Sequence, residues 1–455
     1  MKIVNPATGE QIRTVDEDTR GSVAQKFERA TRAQREWRNS DLRQRKATLR
    51  TFSELIETEQ PELAKTLTLE VGKPLSQSNN ELNAFRKRID FFVDHFEAEL
   101  EPEVVLRAAD LEEVIAHEPL GVVGNISAWN YPYFVGGNVL LPALLTGNTV
   151  LYKPSELATL TGLSIVRLLH RAGIPENCIA AVVGGPDVGK LMFEQPLSGL
   201  FFTGSVQTGR AVARAAAERL IPVGLELGGK DPAYAASDVD VPKVAAALAD
   251  GAFYNTGQSC CAVERIYVHQ SIYGDFVEAF VAEVRKLKLG DPLDPSTTLG
   301  PLARGEAQLV HLENQVSDAC SKGARVLCGG KRAGGPGFFF EPTVLVDVDH
   351  SMQVMREETF GPVIGLMPVP SDEAALGLMN DTDYGLTAAV YTNDAERAQK
   401  LLGELDVGSA YWNCCDRVSP QLPWSGRRNS GLGSTLSTYG IEAFTRPKAW
   451  HKRLA

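Results

Sequence analysis

Two adjacent cysteines, Cys260 and Cys261, stand in the stretch GQSCCAVER (257–265), within sequence that otherwise reads as ordinary core. A thiolate here would be a strong nucleophile, whereas a thiol is a weak one. Taken locally the two are equivalent, and the default for either is a small buried hydrophobe. LELGGK (225–230) sets one carboxylate, Glu226, in an apolar strand just ahead of a glycine pair. An unpaired buried glutamate is costly, so Glu226 is either salt-bridged or kept with a raised pKa for proton transfer. SAWNYP (127–132) puts Asn130 at a strand end, where its amide either caps its own turn or donates to an oxyanion.

Other segments suit phosphate and ribose. YKPSE (152–156) leaves a strand with Lys153, then places Ser155 and Glu156 at a helix start. The ordinary reading is a capped helix with solvated charges. The alternative is a lysine and a glutamate holding ribose hydroxyls, with the carboxylate repelling a 2′-phosphate. GLFFTGSVQTGR (199–210) places Gly204 and Ser205 between strand and helix, where free N–H groups favour an anion or where Ser205 simply caps the helix. The spacing Gly204 to Gly209 mimics a P-loop, but Arg210-Ala211 replaces Lys-Ser/Thr and no GxGxxG occurs, which disfavours a nucleotide triphosphatase.

The elements that must position these groups alternate in type. Residues 18–100 are helical in period, with a helix start at Ser40-Asp41. From Val122, short apolar runs (149–153, 179–183, 199–203) alternate with helix-length amphipathic segments, a βαβ pattern that calls for a parallel sheet covered on both faces. A second alternation follows, with strands expected at 265–269, 325–328, 342–346, 363–368 and 387–392 and helices at 271–288, 303–322 and 394–404. The glycine pairs Gly184-Gly185 and Gly228-Gly229 mark loops of close backbone approach. The stretches 103–118 and 437–455 fit neither unit and read as an arm reaching to another subunit.

At 455 residues the chain exceeds what one hydrophobic core supports, so at least two domains are expected. With 44% apolar and 23% charged residues it is an ordinary globular chain, and a net charge of −11 argues against a nucleic-acid partner. The most apolar stretch, 133–152, is broken by glycine, asparagine and proline and reads as core rather than a membrane span. The N-terminus carries neither a signal-peptide nor a transit-peptide pattern. Seven cysteines without CxxC or metal-like spacing fit a reducing cytoplasm and no metal site.

Seven segments in consistent order, PLGVVGNISAWNYP (119–132), GNTVLYKPSE (147–156), FFTGS (201–205), LELGGK, GQSCCAVER, EETFGPV (357–363) and PWSGRRNSGLG (423–433), resemble the aldehyde dehydrogenase superfamily over nearly the whole chain. The resemblance implies an α/β fold: a Rossmann-like cofactor domain without GxGxxG (1–102 and 119–227), an α/β catalytic domain (228–425) and a small β oligomerisation arm (103–118 and 437–455). It selects Cys260 as nucleophile, Asn130 as oxyanion donor and Glu226 as general base. It implies a cofactor, NAD with NADP possible, held by Lys153 and Glu156 at one ribose and by Glu358, with Phe360 beside it, at the other; Ser155 is a further cofactor-binding residue. Thr203, Gly204 and Ser205 match its phosphate segment and Ile126, Ser127 and Trp129 its floor, with Gly185, Gly189, Leu227 and Gly228 completing the set. It further implies a homodimer or homotetramer.

For the aldehyde, the resemblance points to a tunnel lined by Tyr131, Val135, Asn138, Ser259 and Cys261. Gly136 and Gly137 are expected to widen it, the alternative being that they ease helix packing. Arg417, just before PWSG, is either a clamp for the carboxylate of a semialdehyde or a solvated loop charge. Two rival functions are a CoA-acylating dehydrogenase, which has no need of Glu226, and a catalytically silent binding protein, which has no need of the whole set. Glu264 is read as a structural charge paired with a nearby base.

Overall fold

The computed structural model describes residues 1–453, and two large sheets of mainly parallel strands organise them. The first has the order Gly431–Leu432, Val223–Glu226, Gly199–Thr203, Val122–Ile126, Thr149–Lys153 and Ile179–Ala181. Every pairing in it is parallel except that of Gly431–Leu432 with Val223–Glu226. Thr149–Lys153 is buried at each position, as expected for an apolar strand covered by helices on both faces. From Val122–Ile126 the chain first steps outward to Thr149–Lys153 and Ile179–Ala181, then returns to the other side with Gly199–Thr203. The order therefore reverses beside Val122–Ile126, and Ser127 and Gly204 follow the carboxyl ends of the two strands that flank this switch point, where such sheets bind ligands.

The second sheet runs Arg325–Cys328, Thr343–Val346, Val363–Val369, Val263–His269, Asp231–Ala235, Thr387–Tyr391 and Ser409–Trp412, with only the Arg325–Cys328 strand antiparallel to its neighbour. The fold class is thus mixed α/β, as the alternation of strands and helices required.

Three helices, Arg20–Trp37, Leu42–Val71 and Leu75–Leu100, form the opening layer. Asp41 caps the second, accepting from the Arg43 N–H at 2.8 Å, and Gly72 ends it at φ 83°, a left-handed conformation suited to glycine. The helix Pro132–Leu145 is buried along almost its whole length and packs against Leu75–Leu100, with the rings of Phe85 and Tyr133 5.8 Å apart. Here one expectation is corrected. A Cβ at Gly137 would lie 2.1 Å from the Phe85 ring and one at Gly136 3.0 Å from the Tyr152 hydroxyl, so these glycines admit neighbouring side chains rather than widening a tunnel.

A third, antiparallel sheet joins Glu103–Arg107, Leu111–Pro119 and Thr445–Arg453, the last two in continuous register from Thr445 opposite Pro119 to Arg453 opposite Leu111. Residues 454–455 of the expected arm lie outside the described residues. Glu103–Arg107 is an edge strand exposed throughout, Val104, Val105 and Leu106 included.

Candidate active site

The cysteine segment is held by a compact backbone knot. Helix Val241–Phe253 ends in a turn in which Asn255, Thr256 and Gly257 all have positive φ, and a Cβ at Gly257 would lie 2.4 Å from the Gly361 carbonyl oxygen. Gln258 then locks the loop in place. Its amide donates to the carbonyls of Asn255 at 3.2 Å and Pro301 at 3.3 Å, and its Oε1 accepts from the Ala303 N–H at 2.9 Å. Cys260 emerges half-buried, just before the strand Val263–His269. Asn130 is brought to it from the first sheet: its Nδ2 donates to the Gln258 carbonyl at 3.2 Å, and its own carbonyl accepts from Asn255 at 3.3 Å.

Glu226 closes the strand Val223–Glu226, and the glycine pair after it lets the cysteine loop approach. A Cβ on Gly229 would lie 2.9 Å from the Cys260 carbonyl oxygen. The Thr435 hydroxyl donates to the Glu226 carboxylate, which burial raises above its ordinary value, with the Thr435 bond and the charge of Arg88 acting the other way. Leu227 is fixed by its N–H on the Ser430 carbonyl at 2.9 Å.

The two cysteines part company in their surroundings. Cys261 is buried and donates to Asp416 Oδ1 at 2.9 Å, with the Ser259 hydroxyl 3.4 Å from its sulfur. Its hydrogen bond with Cys260 and its burial hold the Cys261 thiol well above the usual range. Tyr131 and Phe134 stack with ring centroids 5.7 Å apart, and Val135 and Asn138 are buried on the same helix. Lys73 lies 3.6 Å over Tyr131, and Arg88 lies 3.8 Å over Phe134 while donating to Asn138 Oδ1 at 2.8 Å. Arg417 stands apart, exposed, its Nη1 on the Asp416 carbonyl at 3.2 Å.

The cofactor candidates gather at the switch point. Buried Lys153 is held by the Pro154 carbonyl at 3.3 Å and lies 3.5 Å from the Glu156 carboxylate; a Cβ at Gly189 would reach 3.4 Å from its stem, and Gly185 caps the helix Pro186–Phe193 with open space where its Cβ would be. Ile126 and Thr203 end neighbouring strands, and Ser127 is buried beyond Ile126. Ser155 accepts from the Leu157 N–H at 3.2 Å, while Ser205 caps the helix Val206–Ala217, accepting from the Thr208 N–H at 3.4 Å. Gly204 donates to the Glu226 carbonyl at 3.0 Å. Glu358 accepts from the Gly229 N–H at 3.1 Å, and a Cβ at Gly228 would collide with its carboxylate. Burial and the neighbouring Glu264 raise Glu358 above the usual carboxylate range. Trp129 and Phe360 meet edge to face at 5.5 Å.

Glu264 is explained by its partners: Lys230 donates to it at 2.7 Å and the N–H groups of Thr359 and Phe360 at 2.8 and 2.9 Å, so a buried ion pair positions the Glu358–Phe360 loop. Sequence reasoning missed Arg88, Asp416, Lys73 and Thr435. For Arg88 a signal existed: the helical period aligns it with Glu81, Phe85 and Phe92, all buried, although Arg86-Lys87-Arg88 reads as a solvated run. A cleft of about 810 Å³ between the helix Val206–Ala217 and the loop 380–384 lies beside this constellation and does not include the cysteines.

The fold and this site define a family. The sequence model of the aldehyde dehydrogenase family matches residues 1–450, and the chain belongs to that family. It is 36% identical over 446 residues to a succinate-semialdehyde dehydrogenase [NADP(+)] of Deinococcus radiodurans, covering 98% of this chain and 93% of the relative. It is 35% identical over 457 residues to the peroxisomal aminoaldehyde dehydrogenase 1 of Pisum sativum, covering 98% and 91%. Among solved structures, betaine aldehyde dehydrogenase of Staphylococcus aureus in complex with NAD+ superposes with a TM-score of 0.96 at 31% identity, covering all of this chain and 92% of the other. Among the described residues no helix is long and apolar enough to cross a membrane, and no group of three or more His, Cys, Asp or Glu is placed to hold a metal ion.

Proposed function

We propose that the chain oxidises an aldehyde to the carboxylic acid with NAD or NADP. The observation that carries this reading is the convergence of Cys260, Asn130 and Glu226, distant in sequence, through the Gln258 carbonyl and the Gly229 contact. Cys260 attacks the aldehyde carbon as the thiolate, forming a thiohemiacetal. The oxyanion accepts hydrogen bonds from the Asn130 amide and the Cys260 backbone N–H. The nicotinamide, when bound, supplies the hydride acceptor that makes a thioester possible. Glu226 then takes a proton from water, which attacks the thioester and frees the acid and the thiol.

Lys153, Ser155 and Glu156 would hold one ribose, Thr203, Gly204 and Ser205 the phosphates, and Glu358 with Phe360 the second ribose, over a floor of Ile126, Ser127 and Trp129. Two features support the fit: a buried lysine at the carboxyl end of the strand next to the switch point, and the glycines 185, 189 and 228, where added side chains would fill or block the cradle. Glu156 favours NAD. The domain division at 227/228, the cytoplasmic location favoured by seven free cysteines, and a homo-oligomer built through the arm belong to the same reading.

The test is NADH or NADPH formation from a panel of aldehydes, with the product identified in the absence of CoA. Free acid, and no turnover by Cys260→Ala, is expected. Strict dependence on CoA, or full activity of Cys260→Ala, would sink the assignment.

A further inference from the structure

We propose that Arg88 recognises a carboxylate on the substrate, so that the aldehyde oxidised at Cys260 carries an acidic group at its far end. This rests on the reading of Cys260 as nucleophile and adds to it the class of substrate.

Arg88 is a buried cation, 3% exposed, and among the described residues no carboxylate lies within ion-pair distance of it. Burying an unpaired charge is expensive unless something that arrives later compensates it. Two other buried arginines show how the fold satisfies a guanidinium when structure alone is at stake. Arg45 donates to Ser40 and to the carbonyls of Trp37, Arg38, Ser40 and Leu145. Arg265 donates to the carbonyls of Lys230, Leu378 and Met379 and to Tyr267. Arg88 makes one hydrogen bond among the described residues, from Nη1 to Asn138 Oδ1. That bond and the Phe134 ring under the guanidinium fix the plane and leave the Nε–Nη2 edge without a protein acceptor among the described residues. This edge is the side-on fork that binds a carboxylate through two parallel hydrogen bonds.

The location suits a substrate. The guanidinium lies within electrostatic reach of Glu226, Glu81, Cys261 and Cys260, on the helix face turned toward Asn138. Asp416 presents the opposing charge. Its carboxylate is engaged by the Cys261 thiol and the Ser259 hydroxyl, and burial raises it toward the neutral form. Arg417, for which the sequence left open a carboxylate clamp or a solvated loop charge, is exposed and stands outside this arrangement.

The experiment compares kcat/KM for succinate semialdehyde and for pentanal in wild type, Arg88→Met and Arg88→Lys, with melting curves for each. Arg88→Met is expected to lower the semialdehyde-to-pentanal ratio about 100-fold, the order of a charged hydrogen-bond pair, mainly through KM. Arg88→Lys, which keeps the charge but not the fork, is expected to lower it about 10-fold and supplies the ratio if Arg88→Met melts too early to assay. Equal losses on both substrates would make Arg88 an electrostatic or structural support for the reacting groups and overturn the proposal. So would an unchanged ratio, or a wild type that prefers an ω-ammonium aldehyde. A folded wild type that oxidises no aldehyde sinks the functional reading itself; activity on pentanal that needs Cys260, with the ratio unmoved, sinks this inference alone.

Discussion

At the scale of single residues, the two cysteines separate by what surrounds them. Cys261 spends its proton on Asp416 and sits in a wall, whereas Cys260 is half-buried on the loop that Asn130 and Gly229 meet. Steady-state assays should therefore find Cys260→Ala inactive and Cys261→Ala still turning over. Asn130→Ala should lose about 10²–10³ in kcat, the usual loss for one oxyanion donor. Glu226 works only as the carboxylate, and burial raises its pKa, so kcat should fall as pH drops through a value above that of an ordinary glutamate. Thr435→Val removes a bond that favours the ionised form and should move this acid limb of the pH–kcat profile to still higher pH; an unmoved limb would assign it to another group. The candidate nucleophile, base and amide were legible as residue types within glycine-punctuated motifs. Arg88 was passed over because Arg86-Lys87-Arg88 reads as a solvated run, although the helical period sets it on the buried face with Glu81, Phe85 and Phe92.

At the scale of elements, the buried Glu264–Lys230 pair holds the loop 358–360 together with Gln308, whose amide donates to the Thr359 and Phe360 carbonyls at 2.8 and 3.2 Å. Removing Glu264 strands the Lys230 ammonium, which has no exposure, and frees the Thr359 and Phe360 N–H groups. Glu264→Ala should lower stability by about 3–5 kcal/mol in urea unfolding, and any folded fraction should show a raised KM for the cofactor. A loss below about 1 kcal/mol would mean that the loop is held elsewhere. Strands such as Thr149–Lys153 and Gly199–Thr203 were readable because continuous apolar, β-branched or aromatic runs have few other uses. Asp231–Ala235 was not, for DPAYA has a proline, an aspartate and two alanines. It becomes a central strand only because Val263–His269 and Thr387–Tyr391 pair on either side, while Thr387 donates to Asp231 Oδ2 at 2.6 Å. Gly136 and Gly137 were misjudged for a related reason: a glycine shows that space is needed, not which neighbour takes it.

At the scale of the whole molecule, the three-stranded arm ends in an exposed edge with Val104, Val105 and Leu106 uncovered, a template for another chain. Under the proposed homo-oligomer, Val105→Lys with Leu106→Lys should lower the mass measured by sedimentation equilibrium; an unchanged mass would place the interface elsewhere. The two sheets bring their strand ends together so that the Cys260 loop of one rests on the Gly229 turn that leaves the other, and the central claim is that chemistry occurs where they meet. The most direct measurement is intact-protein and peptide mass spectrometry of Glu226→Gln after mixing with aldehyde and cofactor. Without its base the enzyme should accumulate an acyl adduct on Cys260, absent from the Cys260→Ala, Glu226→Gln double variant. An adduct on Cys261, or undiminished turnover with no adduct on either cysteine, would contradict the account.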